Sequence, residues 1–475
     1  MYQDSLLHID GSWRPGSASE TIAVINPASE EVVGTVAKAS EGDLEEAVAA
    51  AHRGFLMWRK IPALERAKIM LRASALLRER EGKIARLISI EQGKPLHEAL
   101  NEVWTAAETN DWFAEEATRT YGRVIPSRGE GIHQFTVREP VGPVAAFTPW
   151  NFPIIQIVCK MSAALAAGCS IIVKAPEETP ASPSELLRAF IEAGIPAGVI
   201  NLVFGNPAQI SQYLISHPLI QKVSFTGSTI VGKQLASLAG LHMKRATMEL
   251  GGHAPAIVFS DADLDAAVNG LSSAKFKNAG QVCISPTRFL IQESIFETFV
   301  ERLAEKAATI QVGDGLTSGT MMGPLANKRR LEAIDAFVSD AVKSGGEIKT
   351  GGKRIGNHGY FYEPTVIANP SNDARAMNEE PFGPVAFVRP FRTFDDAIQE
   401  ANRLPYGLAA YAYTSSAKTA AAVGMAVESG MVSINHLGLS LPETPFGGVR
   451  DSGIGSEGGT EGIDAYLSTK FISQI

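Results

Sequence analysis

The sequence predicts an α/β fold on three observations. Short apolar runs alternate with helical segments from Val141 onward, turn residues stand where those runs end, and the composition is that of an ordinary soluble protein. The 475 residues are 45% hydrophobic and 20% charged, which calls for packed cores in two or three domains at roughly 100 to 200 residues each. With 43 Lys+Arg against 51 Asp+Glu the net charge is −8. No run of five like charges occurs, so the expected partner is a small molecule rather than nucleic acid or a membrane surface. Three cysteines without a CxxC pair point to a reducing compartment. The first residues carry no signal-peptide pattern, and the weakly polar run Met161–Val173 is broken by Gly168 and Ser170. It falls short of the roughly 18 apolar residues of a membrane span, and a cytoplasmic location is expected.

In chain order, Leu44, Val48, Ala51, Phe55 and Trp58 fall on one face of a first helix, and Pro62 restarts a second. Tyr121 to Pro140 reads as an extended arm or hairpin. Val144–Phe147 reads as a strand, Pro153–Ala167 as a helix, Ser170–Lys174 as a strand, and Ser182–Ala193 as a helix that Gly194 ends. Val199–Val203, a helix after Pro207, Val223–Phe225 and a helix Ser228–Ala239 continue the series. Such βαβ units build a parallel sheet that binds ligands at the carboxyl ends of its strands. Arg288–Ile291 opens a second α/β stretch, where a helical face from Leu331 to Val342 stops at Gly345 and Gly346. After about Met431 the glycine- and proline-rich chain reads as ordered loop.

Several candidate chemical residues fall at predicted strand ends. Cys283 lies among glycine, amide and hydroxyl residues. A lone cysteine is more often a small buried apolar residue, and its setting alone makes it a candidate nucleophile. Glu249 ends a strand before Gly251 and Gly252, and Asn151 stands between Pro149 and Pro153, a rigid seat that suits a donor to a developing oxyanion. An ordinary solvated glutamate and a turn asparagine are the bland readings. Phe225 to Gly232 is a strand, a glycine and a helix start, which offers N–H groups to a phosphate. Glu177, just past the strand ending at Lys174, could bind ribose hydroxyls and would meet a 2′-phosphate as a like charge. The nine histidines form no metal-ligand spacing, so no metal is expected.

Taken together, these residues resemble the NAD(P)-dependent aldehyde dehydrogenase superfamily. The match runs over Thr148–Pro153, Lys174–Pro180, Phe225–Gly232, Glu249–Gly252, Gly280–Cys283, Glu379–Pro384 and Pro445–Gly455. Two stretches, Lys174–Pro180 and Leu441–Gly448, look most similar to bacterial succinic and α-ketoglutaric semialdehyde dehydrogenases. The resemblance implies a Rossmann-like cofactor domain (1–121 and 141–248, with part of 435–463) and an α/β catalytic domain (249–434). It also implies a small β oligomerisation element (122–140 and 464–475) and a homodimer or homotetramer. Cys283 would attack the aldehyde as thiolate with a lowered pKa, Asn151 and the Cys283 N–H would hold the oxyanion, and Glu249, with a raised pKa, would activate water on the thioester. Lys160 matches a lysine near the catalytic centre. Lys174 and Glu177 resemble the adenosine-ribose pair, Ser228 a pyrophosphate contact, and Glu380 with Phe382 the nicotinamide-ribose clamp; Trp150, Gly227 and Gly232 fall in the same cofactor motifs. NAD is the expected cofactor, with NADP possible.

The sequence departs from the semialdehyde pattern at two places. Relatives that take a carboxylate-tailed substrate commonly carry arginine where this chain has Cys159 and Lys277. The bidentate fork is lost at both. The expected substrate therefore has an uncharged or aromatic tail, 3-succinoylsemialdehyde-pyridine being one such compound. A succinic or α-ketoglutaric semialdehyde bound through Lys277 is the alternative. A coenzyme-A-acylating enzyme or a non-catalytic paralogue is remoter, because Glu249 and the rest of the catalytic set are present.

Overall fold

Five strands carry the first sheet, and four of them, Val144–Phe147, Ile171–Lys174, Ile200–Val203 and Lys222–Thr226, are buried along their whole length. Burial on both faces is what continuous apolar runs in a parallel sheet demand. In the computed structural model, which describes residues 2–475, they lie in the spatial order 200–203, 171–174, 144–147, 222–226 and then Arg245–Glu249, all parallel. Chain order and spatial order diverge on either side of Val144–Phe147. A crevice therefore opens at its carboxyl end, where doubly wound sheets take their ligands. Leu7–Ile9 and Ser12–Arg14 extend one edge, and Gly453–Ile454 returns to pair antiparallel with Arg245–Glu249 at the other.

The crossover helices are Ile155–Ala167, Ala181–Ala193, Pro207–Ser216 and Thr229–Leu241. The first starts two residues later than its pattern suggests, because Pro153 and its neighbours are held in a turn; the Ile154 and Ile155 N–H groups donate to the Glu102 carboxylate, at 3.0 and 3.4 Å. Among the N-terminal helices, Glu41–Trp58 is opened by a Ser40–Asp43 capping box, and all five predicted face residues are buried. The Trp58 indole N–H donates to Leu165 O at 2.9 Å, tying this layer to the crossover beneath it.

A second sheet of seven strands runs 347–350, 365–368, 385–391, 286–292, 254–258, 409–413 and 431–434, parallel except at its first strand. The stretch after Met431 is less loop-like than its composition suggests: Met431–Ile434 is a strand of this sheet and Gly459–Asp464 a short helix. These pieces are too brief to show a period. Leu467–Gln474 pairs antiparallel with His133–Pro140, which pairs with Arg123–Ile125, so the arm and the last strand form one three-stranded sheet. Among the described residues no helix is long and apolar enough to cross a membrane.

Candidate active site

Strand ends of the first sheet deliver Asn151, Lys174, Ser228 and Glu249 to one edge, and the second sheet brings Cys283 against it. Contact is close: a Cβ on Gly252 would lie 3.0 Å from Cys283 O, and one on Gly251 would lie 2.4 Å from a Glu380 carboxylate oxygen. Glycine at 252 lets the end of the Glu249 strand approach the Cys283 loop, and glycine at 251 leaves room for the Glu380 carboxylate. Asn151 is buried, and its Nδ2 donates to Gln281 O at 3.1 Å.

Cys283 is half-buried, at the wall of a cavity of about 180 Å³ that Cys159 and Lys277 also line. Burial pushes its thiol up to about 12, helped by the charges of Glu380 and Glu249, while the Ile284 and Cys283 N–H groups act the other way. This reverses the expectation of a lowered thiol pKa. What faces the sulfur in the chain by itself is low-polarity surface and two carboxylates rather than a cation. Glu249 follows its expectation. It is buried, neither carboxylate oxygen has a hydrogen-bond partner, and burial followed by the Glu457 charge raises it well above the usual carboxylate range against the pull of Lys160.

Lys160 is fully buried and donates to Thr226 Oγ1 at 2.6 Å and to the Glu457 carboxylate. Ser224 Oγ also donates to Glu457, at 3.3 Å. Glu457 escaped the sequence reading because it sits 297 residues from Lys160, in glycine-rich chain with no period. A carboxylate isolated among glycines was the available signal.

On the cofactor side, Lys174 Nζ lies 2.7 Å from the Glu177 carboxylate, which also accepts the Gly205 N–H at 2.8 Å. Ser228 is the N-cap of Thr229–Leu241, yet its hydroxyl makes no capping bond. The Gly227 N–H donates to Glu249 O at 3.1 Å, linking the loop after Lys222–Thr226 to the end of Arg245–Glu249. Gly232 differs from its neighbours. Its N–H is spent inside the helix on Ser228 O, and a Cβ there would stand 2.1 Å from Leu250 Cδ2, so close packing rather than ligand contact requires glycine. Glu380 accepts the Gly252 N–H at 3.2 Å, and burial raises it to about 7. Phe382 has φ +49° and meets Trp150 edge-on with ring centroids 5.7 Å apart. Arg330 holds this unusual turn through the Pro381 and Phe382 carbonyls, a contact the sequence did not reveal.

Residues 13–472 match the aldehyde dehydrogenase family. The chain belongs to that family. It is 46% identical over 475 residues to the 4-(hydroxymethyl)benzenesulfonate dehydrogenase of Comamonas testosteroni, covering 100% of this chain and 99% of that one. It is 40% identical over 464 residues to the NADP(+) succinate-semialdehyde dehydrogenase of Escherichia coli, covering 98% and 96%. Its structure matches the NAD+ complex of a Bacillus cereus aldehyde dehydrogenase with TM-score 0.97 at 35% identity, over 99% and 96% of the two chains. This aldehyde dehydrogenase is thus an NAD(P)-dependent enzyme.

In this aldehyde dehydrogenase Cys159 and Lys277 line the same cavity as Cys283. Phe152, Ile155, Val282, Ile284, Leu441 and Phe446 give the walls their apolar character. Lys277 is exposed and within the field of Glu98, whose carboxyl burial raises to about 7 and which accepts the Asn278 N–H at 2.9 Å.

Proposed function

We propose that this enzyme oxidises an aldehyde with an uncharged or aromatic tail to its carboxylic acid through an acyl thioester on Cys283. The observation that carries the tail is the cavity itself: Cys159 and Lys277 line the same space as Cys283, and its walls are largely apolar. The sulfur attacks the aldehyde carbon once its proton has passed to solvent water reaching the half-buried thiol, and the carbonyl oxygen becomes an oxyanion. Asn151 Nδ2, which spends one hydrogen on Gln281 O, offers the other to that oxyanion together with the Cys283 N–H. Glu249, in its ionised form, takes a proton from the water that cleaves the thioester; its free carboxylate oxygens are what such a base requires.

A nicotinamide cofactor supplies the hydride acceptor when bound. The chain's residues fit one: the Lys174–Glu177 pair for the adenosine ribose, the uncommitted Ser228 hydroxyl for pyrophosphate, and Glu380, Phe382 and Trp150 at the nicotinamide end. The Glu177 carboxylate favours NAD, since a 2′-phosphate would meet its charge. Lys174 offsets part of that repulsion and leaves NADP usable. A second reading, a carboxylate-tailed semialdehyde bound through Lys277, is supported by the exposed ammonium at the cavity and by the Escherichia coli relative's substrate. The Comamonas testosteroni relative is named for a benzene-ring compound, in keeping with the first.

The test is the initial rate with NAD and with NADP on succinic semialdehyde, α-ketoglutaric semialdehyde, a straight-chain aldehyde and an aryl-keto aldehyde. The expected result is a higher kcat/KM on the uncharged or aromatic tails and with NAD. Cys159→Arg should move selectivity toward the carboxylates by about tenfold or more, the worth of a charge-assisted hydrogen bond. Preference for carboxylate tails in the unaltered enzyme overturns the reading. The strand Arg123–Ile125, with Val124 90% exposed, is an open sheet edge that supports a homodimer or homotetramer; a monomer mass by light scattering contradicts it.

A further inference from the structure

We propose that Lys94 and Asn278 are positioning residues of the oxyanion site, clamping the Asn151 loop to the nucleophile loop through the Asn151 main-chain carbonyl. This rests on the role assigned above to the Asn151 amide. Asn151 and Asn278 are 127 residues apart, yet Asn278 Nδ2 donates to Asn151 O at 2.9 Å and, more weakly, to Gln281 O at 3.4 Å. Asn151 Nδ2 donates to the same Gln281 O at 3.1 Å, which closes a ring between the two loops. From the other side Lys94 Nζ reaches Asn151 O at 2.8 Å and Glu102 at 2.6 Å. The free Glu102 oxygen takes the Ile154 N–H at 3.0 Å, so the ion pair grips the Asn151 turn at two points.

The arrangement is more than ordinary loop packing. Asn278, Ala279 and Gly280 have φ of +51°, +53° and +68°, three successive residues in the left-handed region, ending three residues before Cys283. Such a turn is unfavourable for residues other than glycine and must be held by its surroundings. It is held at Asn278, whose N–H donates to Glu98 Oε2 at 2.9 Å and whose carbonyl accepts Gln281 Nε2 at 3.0 Å. A Cβ on Gly280 would stand 2.1 Å from Gly383 O, so the turn is also pressed against the Glu380–Phe382 segment. Asparagine therefore serves two purposes at 278: it tolerates left-handed backbone, and it supplies the amide that fixes Asn151.

Substitution by glycine separates the two, because glycine keeps the backbone and deletes the amide. With NAD and a preferred aldehyde, Asn278→Gly should lower kcat by about ten- to hundredfold, the cost of misplacing a catalytic group by about 1 Å. The KM for NAD should be unchanged, and iodoacetamide should still label one Cys283 per subunit. In the double variant with Asn151→Ala, the loss should equal that of Asn151→Ala alone, since Asn278 acts through Asn151. Wild-type kcat in Asn278→Gly, or losses that multiply in the double variant, overturn the proposal. If Asn278→Gly does not fold, Lys94→Met combined with Glu102→Gln decides. It removes the ammonium together with the carboxylate charge it pairs and keeps an acceptor for the Ile154 N–H; reduced kcat supports the clamp and wild-type kcat refutes it. Wild-type kcat in Asn151→Ala by itself would instead overturn the role of Asn151.

Discussion

Two buried ammonium–carboxylate pairs, Lys94–Glu102 and Lys160–Glu457, each put a glutamate into the lining of the Cys283 cavity, and their difference shows how one protein makes a rigid part and a proton-handling part from the same residue types. In the Lys94–Glu102 pair, side chains 0% and 1% exposed, every charged atom has a fixed partner, and the second carboxylate in the ammonium's field, Glu98, is held by the Asn278 N–H. In the Lys160–Glu457 pair, 0% and 7% exposed, the single ammonium stands near two carboxylates, Glu457 and Glu249. Neither Glu249 oxygen has a hydrogen-bond partner, and burial first and the Glu457 charge second hold this carboxyl well above the usual carboxylate range. The first pair is a clamp; the second leaves a carboxyl prepared to gain and lose a proton.

The comparison is broken most severely by removing what the clamp holds. Asn151→Ala should cost about 10²- to 10³-fold in kcat, or about 3 to 4 kcal/mol of transition-state stabilisation, read from steady-state formation of reduced cofactor. A loss under threefold would mean that the oxyanion is held elsewhere. Lys160→Met sharpens the contrast with a smaller effect. Without its ammonium the two carboxylates repel more strongly and Glu249 holds its proton to still higher pH. The base exists only above its pKa, so thioester hydrolysis rises with pH through that value, and the acid limb of the pH–rate profile should move to higher pH. An unmoved limb would contradict the electrostatic account.

The legible parts of the molecule were those written in contiguous chain. Strand-end positions such as Asn151, Glu249 and Lys174 follow from the alternation of apolar runs and turn residues, and the structure has all three at or just past the carboxyl ends of parallel strands. Cys283 needed its neighbours to be recognised, and its protonation could not be read: a lowered pKa was expected of a thiolate nucleophile, whereas burial and two carboxylates push the thiol up. Lys160 was visible, but its partner Glu457 was not, because the contact joins positions 297 residues apart. Gly232 looked like a phosphate glycine, yet Leu250 packs where a side chain would be. Ala279 gave no sign of its left-handed backbone, which is imposed from outside by Glu98, Gln281 and the Gly383 segment. The cavity was the least legible feature of all, since its walls come from residues between 98 and 458.

The most direct test of the central claim, a thioester on Cys283 that Glu249 resolves, is a rapid-mixing experiment on Glu249→Gln with NAD and an aldehyde from the preferred class. The account predicts a burst of about one reduced cofactor per subunit followed by a stall, and a Cys283 peptide heavier by the acyl group. Steady turnover at the unaltered rate, or a stall with no acyl mass on Cys283, would contradict it.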